Sequence, residues 1–139
     1  MLGQITSLIG TPGFGAVAVG VFSFIAKCYM SFTVRLKIAD MGHAEAKKYF
    51  ETPERIFVWK SQMNEAEYAP FLFAILWALH TAKVTGSLCY WISIAMPLSQ
   101  LVYFWGRVVH GKVMPFTPLG GMPRYISMAI GLYLLYDTL

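Results

Sequence analysis

The longest apolar run of the chain, from Pro12 to Val34, contains a single charged side chain, Lys27. A helix needs roughly 20 mostly apolar residues to cross the hydrocarbon core of a bilayer, so this run is long enough to do so. The chain of 139 residues is 57% hydrophobic and only 13% charged, whereas a soluble domain carries about 25% charged residues. These features favour an integral membrane protein, and the length allows one domain.

The apolar segments predict an all-α fold, a four-helix up-down bundle that crosses the membrane. The single domain covers residues 1–139, with helices at about 12–38, 55–82, 84–110 and 122–138. Pro97 is expected to kink the third helix, which a membrane bundle tolerates. Pro123 is expected at the first helical position of the fourth, after a long loop that starts at Lys112. The polar stretch from Lys37 to Arg55 is typical of a solvated loop with helical stubs.

The basic residues indicate the topology of such a bundle. With four crossings, the first and third connections share one side of the membrane. Most of the basic residues belong to that side: Arg35, Lys37, Lys47, Lys48, Arg55, Lys60, Arg107, Lys112 and Arg124. The opposite side has only Lys83 and Asp137. The positive-inside rule therefore puts the basic side, and any site built on it, in the cytoplasm.

The second segment combines an apolar half with a polar half. The uncharged run from Ala69 to Ala82 has 14 residues, too few to span a bilayer. A spanning helix must therefore include Asn64, Glu65 and Glu67 at or inside the membrane boundary. Ionisable groups at that depth are costly and commonly mark function. The alternative is that they lie at the level of the lipid headgroups.

Helical spacing divides these polar residues between two faces. Lys60, Asn64, Glu67 and Tyr68 fall within about a 100° sector, whereas Glu65 points the other way. Gln62 and Arg55 share the face of Glu65. We expect one face to look into the bundle and the other towards a neighbouring subunit, which predicts an oligomer with polar pockets between subunits.

A second polar stripe is predicted on the third helix. Gln100, Tyr103, Arg107 and His110 follow an i, i+3, i+7, i+10 spacing. Together the two stripes offer cations, carboxylates, amides and a phenol beside apolar surface, which suits a small zwitterionic ligand and an apolar co-substrate. The histidines are isolated in the sequence, so no metal site is expected. No interleaving of basic and aromatic residues indicates nucleic-acid binding.

The second helix carries a motif of high specificity. Lys60-x-Gln62-x-Asn64-x-x-Glu67-Tyr68-x-Pro70 resembles the signature of the MAPEG family, the membrane-associated proteins of eicosanoid and glutathione metabolism. It looks most like the branch of leukotriene C synthase and the microsomal glutathione transferases. The resemblance extends from about Val34 to the end of the chain and includes Tyr103-Phe104-x-Gly106.

The resemblance implies a homotrimer of four-helix subunits that binds glutathione between neighbouring subunits. One subunit would bind glutathione through five residues: Lys60, Asn64, Glu67, Tyr68 and Tyr103. The adjacent subunit would contribute Gln62 and either Arg35 or Lys37. Family enzymes also use an arginine near the junction of the third and fourth helices to stabilise the glutathione thiolate.

The catalytic arginine is the point at which the chain departs from the family pattern. Met114 occupies the position where ungapped alignment expects this arginine, and Arg107 replaces a frequent second tyrosine of the third helix. Two candidates remain for the catalytic role. Arg124 would be the displaced equivalent after a longer loop, and Arg107 lies one turn from Tyr103 on the same stripe.

The primary functional hypothesis is a membrane glutathione transferase or peroxidase. It would join the glutathione thiolate to a lipophilic electrophile or reduce a lipid hydroperoxide, in the endoplasmic reticulum or another intracellular membrane. One alternative is a non-catalytic lipid-binding or structural subunit of the same fold, similar to lipoxygenase-activating protein. Another is an unrelated bundle such as a small transporter.

Overall fold

The computed structural model describes residues 8–110 and 114–138, and this part of the chain consists of five α-helices joined by turns and short connections. The helices are α1 (Pro12–Ile38), α2 (His43–Phe50), α3 (Pro53–Thr81), α4 (Ser87–His110) and α5 (Phe116–Tyr136). Lys112, the start of the predicted loop, and the side chain of His110 lie outside the described part.

Two of the long helices begin with the same capping pair, a threonine followed by a proline. Thr11 precedes Pro12, and its hydroxyl accepts a hydrogen bond from the Phe14 amide at 3.3 Å. Thr52 likewise precedes Pro53, and its hydroxyl accepts from the Arg55 amide at 3.4 Å. A threonine cap supplies an acceptor to the first turn, and the following proline has no N–H that would need one. These pairs fix the first residues of α1 and α3.

The four long helices pack in an up-down-up-down order. Ser23 of α1 bonds to Glu65 of α3, while α1 residues closer to its start pack against later residues of α3, so the two helices are antiparallel. α4 runs parallel to α1, since Ser93 lies beside Gly15 and Gln100 bonds to Ser23. α5 returns antiparallel to α4.

Two apolar clusters form the core, at different heights along the helices. The larger cluster includes Ala16, Val19, Leu72 and Leu76, with Met96 from α4. The smaller cluster consists of Ala26, Met30 and Phe104. On α1, α3 and α4 the residues between the two clusters are Ser23, Glu65 and Gln100, respectively. We call these three residues the polar layer.

The contact between α1 and α4 is very close at Gly15. A Cβ atom added there would lie 2.5 Å from the backbone oxygen of Ser93. Pro97 stands four residues after Ser93 inside α4. Because proline lacks an N–H, the Ser93 carbonyl has no α-helical partner and is free to face α1.

Much of the outer surface is apolar. α1 exposes a row of large side chains, among them Phe24 and Phe32, which are 69% and 64% exposed. Two of the described helices, Pro12–Ile38 and the Ser87–Val108 part of α4, are long and apolar enough to cross a membrane. Contiguous exposed apolar surface of this kind marks a lipid or protein contact.

The fourth long helix differs from the sequence prediction. It begins at Phe116, so the expected helix start at Pro123 is wrong and Pro123 lies inside α5. Pro118 falls in the first turn, where a missing N–H has no consequence. The Gly120-Gly121 pair, which resembles a loop in the sequence, is helical because α5 packs closely against α4 there.

We expect Gly120→Ala to destabilise the fold and Gly121→Ala to leave it intact. A Cβ at Gly120 would lie 2.6 Å from the backbone nitrogen of Tyr103, whereas one at Gly121 would meet nothing nearer than 4.0 Å. Overpacking costs about 1–3 kcal/mol, while glycine-to-alanine replacement within a helix gains up to about 1 kcal/mol. Unfolding of the two variants in detergent, followed by circular dichroism, measures the difference. Equal stability of both would contradict the packing of α4 against α5.

Candidate functional site

Tyr103 is the centre of the largest group of predicted site residues. Its ring is buried on α4, and its hydroxyl accepts a hydrogen bond from the Asn64 side-chain amide of α3 at 2.8 Å. The same oxygen accepts from the guanidinium of Arg107, one turn further along α4. A phenol that accepts two hydrogen bonds still has its own proton to donate. Tyr103 is therefore held rigidly and keeps one donor for a ligand.

Arg124 reaches this centre from α5. It is only 1% exposed, and its guanidinium carbon lies 4.2 Å from the centre of the Tyr103 ring and 5.0 Å from that of Tyr68. Its Nε and one terminal nitrogen are buried and have no hydrogen-bond partner in the described part of the chain. The aromatic faces stabilise the cation but do not accept its N–H groups in line. The guanidinium thus has unused donors for an anion.

Tyr68 and Tyr125 cover the outer side of Arg124. The Tyr125 hydroxyl donates to the Tyr68 hydroxyl at 2.8 Å, and the two rings meet edge to face with centroids 5.5 Å apart. Tyr125 is about half exposed, so this pair stands between Arg124 and the surroundings. Tyr68 accepts this hydrogen bond and keeps its own proton, which it can donate to an anion bound beside the cation.

A cavity of about 280 Å³ opens beside Arg124. It is lined by Tyr103, Met114, Thr117, Pro118, Gly121, Met122, Arg124 and Tyr125. The side chains combine a cation and two phenols with methionine and proline surface. This composition suits a ligand with a polar group that lies beside an apolar group or an apolar second molecule.

Arg107 differs from Arg124 in that its guanidinium makes a hydrogen bond within the chain. It donates to the Tyr103 hydroxyl and lies over the Phe57 ring at 4.8 Å and the Tyr103 ring at 4.9 Å. It is also buried, at 8% exposure. Arg107 therefore fixes the position of Tyr103 through a terminal nitrogen, and within the described residues only its Nε is buried without a partner, whereas Arg124 has both Nε and a terminal nitrogen without one.

The remaining predicted site residues lie apart from this cluster. Lys60, Glu67 and Arg35 are exposed. Lys37 lies 5.8 Å from the centre of the Tyr49 ring, beside a cavity at the α1 and α3 ends that it shares with Arg55. Within one chain the structure thus brings together five of the predicted residues: Asn64, Tyr68, Tyr103, Arg107 and Arg124.

Glu65 lies on the face of α3 that looks into the bundle. The helical spacing left open which of the two polar faces looks inward, and Glu65 is only 4% exposed inside its own chain. Its Oε1 accepts hydrogen bonds from the Ser23 hydroxyl at 2.8 Å and from the Gln100 amide. Glu65 faces inward because the apolar stripe Ala69, Leu72 and Leu76 continues backwards by one turn to Glu65 and not to Glu67.

Glu65 also lines a groove between α1 and α3, with a volume of about 260 Å³. Gln62, Ser23 and Lys27 supply its other polar side chains, and Val19 and Phe73 are among its apolar ones. We call it the α1–α3 groove. Sequence reasoning missed Ser23 and Tyr125. Ser23 had a detectable signal, since it is a polar residue in line with Val19 and Ala26, whereas nothing in the sequence pairs Tyr125 with Tyr68.

The comparisons with known proteins add no assignment. Neither a protein-family model, a curated protein nor a solved structure matches this chain. Among the described residues, no group of three or more His, Cys, Asp or Glu side chains lies close enough to hold a metal ion.

We expect Arg124→Met to leave the free energy of unfolding unchanged or to raise it by about 1 kcal/mol. Burying an unpartnered polar group costs about 1–3 kcal/mol, while the lost cation–π contacts are worth about 0.5–2 kcal/mol. Arg107→Met removes a made hydrogen bond and leaves the phenol with one partner fewer, so we expect a loss of about 1–3 kcal/mol. Denaturant unfolding in detergent compares them. A larger loss for Arg124→Met would mean that its charge is a structural element and not a free binding group.

Proposed function

We propose that this protein is a membrane-bound glutathione transferase or peroxidase. The observation that carries the proposal is the buried Arg124 guanidinium, beside a cavity lined by Tyr103 and Tyr125. Two of its nitrogens have no hydrogen-bond partner among the residues that the structure describes. A thiol of pKa about 8.5 is mostly protonated at neutral pH, and an adjacent cation lowers that pKa. Arg124 would thus hold glutathione as the thiolate, the nucleophilic form.

The thiolate would then react with an apolar co-substrate in the same cavity. In the transferase reaction, the sulfur forms a bond to the electrophilic carbon and the leaving group departs. In the peroxidase reaction, the thiolate sulfur attacks the terminal oxygen of the hydroperoxide, the O–O bond breaks, and the lipid alkoxide takes up a proton and leaves as the alcohol. A second glutathione then converts the glutathione sulfenic acid to the disulfide and water. Met114 and Met122 form apolar, adaptable surface beside Arg124, where a lipophilic molecule would lie.

The remaining part of glutathione has carboxylates and an amine that need partners. Tyr68 and Tyr103 already contact Arg124, and Asn64 donates to the Tyr103 hydroxyl. Lys60 and Glu67 are exposed on the same helix as Asn64 and Tyr68, so we infer that they complete the site at an interface between copies. A second subunit would contribute Gln62 and either Arg35 or Lys37. This arrangement requires the homotrimer that the family resemblance implies.

The bundle would cross an intracellular membrane four times. α3 and α5 contain 29 and 21 residues and are long enough to accompany α1 and α4 through a bilayer. The ends of α1 and α3 that carry Arg35, Lys37 and Arg55 would face the cytoplasm. The exposed apolar side chains of all four long helices support this placement.

A non-catalytic role is the second candidate, and the burial of Arg124 favours it. Only 1% of this side chain is exposed, and two aromatic rings contact it. A protein that binds a lipid in the cavity without chemistry would need the same shape but no reactive thiolate. The two candidates differ in whether bound glutathione ionises.

We expect wild-type protein in detergent to bind glutathione as the thiolate at neutral pH, with Arg124→Ala raising the thiol pKa while binding persists. The ultraviolet absorbance of bound thiolate, titrated against pH, measures this. Arg55→Ala is the matched control, since Arg55 is an arginine outside the cluster, and it should leave the titration unchanged. If only Arg107→Ala raises the thiol pKa, the roles of the two arginines are exchanged. Binding without thiolate at neutral pH would favour the non-catalytic candidate.

We also expect a trimer in mild detergent. Light scattering should give a protein mass of three times the 15.6 kDa of one chain, because a second copy contributes Gln62 and either Arg35 or Lys37 to the proposed glutathione site. Glutathione should stabilise the trimer against dissociation, since a ligand that bridges subunits binds the assembled form. A monomeric mass with intact glutathione binding would contradict the shared site.

A further inference from the structure

Glu65 is set apart from every other acidic residue of this chain. The other six are exposed: Asp40, Glu45, Glu51, Glu54, Glu67 and Asp137. Glu65 is 4% exposed and lies between the two apolar clusters, where a charge is costly because the surroundings cannot solvate it. Whatever form this carboxyl group takes, its neighbours must satisfy it.

Those neighbours satisfy only one of its oxygens. Oε1 accepts from Ser23 and from the Gln100 amide nitrogen, while Oε2 is buried and has no partner among the described residues. The carbonyl oxygen of Gln100, on the other end of the same amide, is also buried and has no partner in residues 8–110 and 114–138. Two residues that already share one hydrogen bond thus each have one acceptor left over, and neither acceptor can satisfy the other.

One proton on the Glu65 carboxyl group would give both of these oxygens a hydrogen bond. A neutral carboxyl group has one donor and keeps an acceptor, so Oε2–H can donate to the Gln100 carbonyl while Oε1 continues to accept from the Gln100 amide. We propose that Glu65 is a proton-binding site that carries a neutral carboxyl group, paired with the Gln100 amide, at the α1–α3 groove. The site is separate from the Arg124 cluster, and the proposal does not depend on glutathione binding.

The charged groups around Glu65 come from two helices. Lys27 of α1 lines the same groove, and the field of Arg124 reaches Glu65 from α5. Both cations favour the carboxylate, yet neither hydrogen-bonds to Oε2. The buried cation of α4, Arg107, donates to the Tyr103 hydroxyl and not to Glu65. Because neither cation forms a direct ion pair with Oε2, the poor solvation of the site favours the neutral form of the Glu65 carboxyl group.

A neutral carboxyl group beside an apolar groove has a specific reactivity. Dicyclohexylcarbodiimide is apolar and adds to protonated carboxyl groups. The acid proton moves to one carbodiimide nitrogen, and the carboxyl oxygen bonds to the central carbon, so the addition needs no other reactant. The α1–α3 groove gives such a reagent an apolar path to Glu65 through Val19 and Phe73.

The experiment treats wild-type protein, in detergent and without glutathione, with dicyclohexylcarbodiimide and maps the adduct by peptide mass spectrometry. We expect the adduct on Glu65, with a labelled fraction that falls as the pH is raised. Glu67, two residues away and exposed, is the internal control and should remain unlabelled by this reagent while a water-soluble carbodiimide labels it. Labelling of Glu67 but not Glu65 by the apolar reagent would overturn the proposal.

Infrared spectroscopy provides a second measurement that needs no reagent. At neutral pH the wild-type protein should show the carbonyl stretch of a neutral carboxyl group, shifted in deuterium oxide. Glu65→Gln should lose this band and Glu67→Gln should retain it. A wild-type spectrum with carboxylate bands alone would show that Glu65 is ionised and the proposal is wrong. The labelling result stands on wild-type protein, so it decides the question even if Glu65→Gln does not fold.

Discussion

The hydrogen bonds among Ser23, Glu65 and Gln100 join three helices at one height. Apolar packing sets the register of helices weakly where the surroundings are themselves apolar, because sliding exchanges one apolar contact for another. A polar side chain that loses its partner in such an interior has nothing else to bond to. The polar layer therefore fixes how α1, α3 and α4 are aligned, and the two apolar clusters take their places on either side.

The same alignment determines the geometry around Arg124. Asn64 directly precedes Glu65 on α3, so its side chain leaves the helix about 100° away and meets the Tyr103 hydroxyl on α4. Arg107 holds that phenol from the other side, and the ring in turn supports the Arg124 guanidinium. A cation held in this way is in position before any ligand arrives, which lowers the reorganisation that binding or chemistry requires.

Sequence reasoning reached parts of this arrangement and missed others for identifiable physical reasons. The stripe that contains Tyr103 and Arg107 was readable because residues four apart share a helix face. The spacing separated Glu65 from the stripe of Lys60 and Asn64 but did not show which face looks inward, because the burial of Glu65 follows the apolar stripe from Leu72 and Ala69. The start of α5 was missed because Pro123 looks like a first helical residue. The contact of Arg124 with the Tyr103 ring could not be predicted from helical spacing, because it depends on how closely Gly120 allows α5 to approach α4.

The approach of α1 to α4 joins two residues that are distant in sequence. Pro97 removes one hydrogen bond within α4, and the Ser93 carbonyl that it frees faces Gly15. A larger residue at position 15 would collide with that carbonyl, and a residue with an N–H at position 97 would draw the carbonyl back into the helix. The energetic effects of changes at the two positions should therefore be non-additive. Gly15 and Pro97 form one unit of the fold, and a variant of either has to be interpreted with the other.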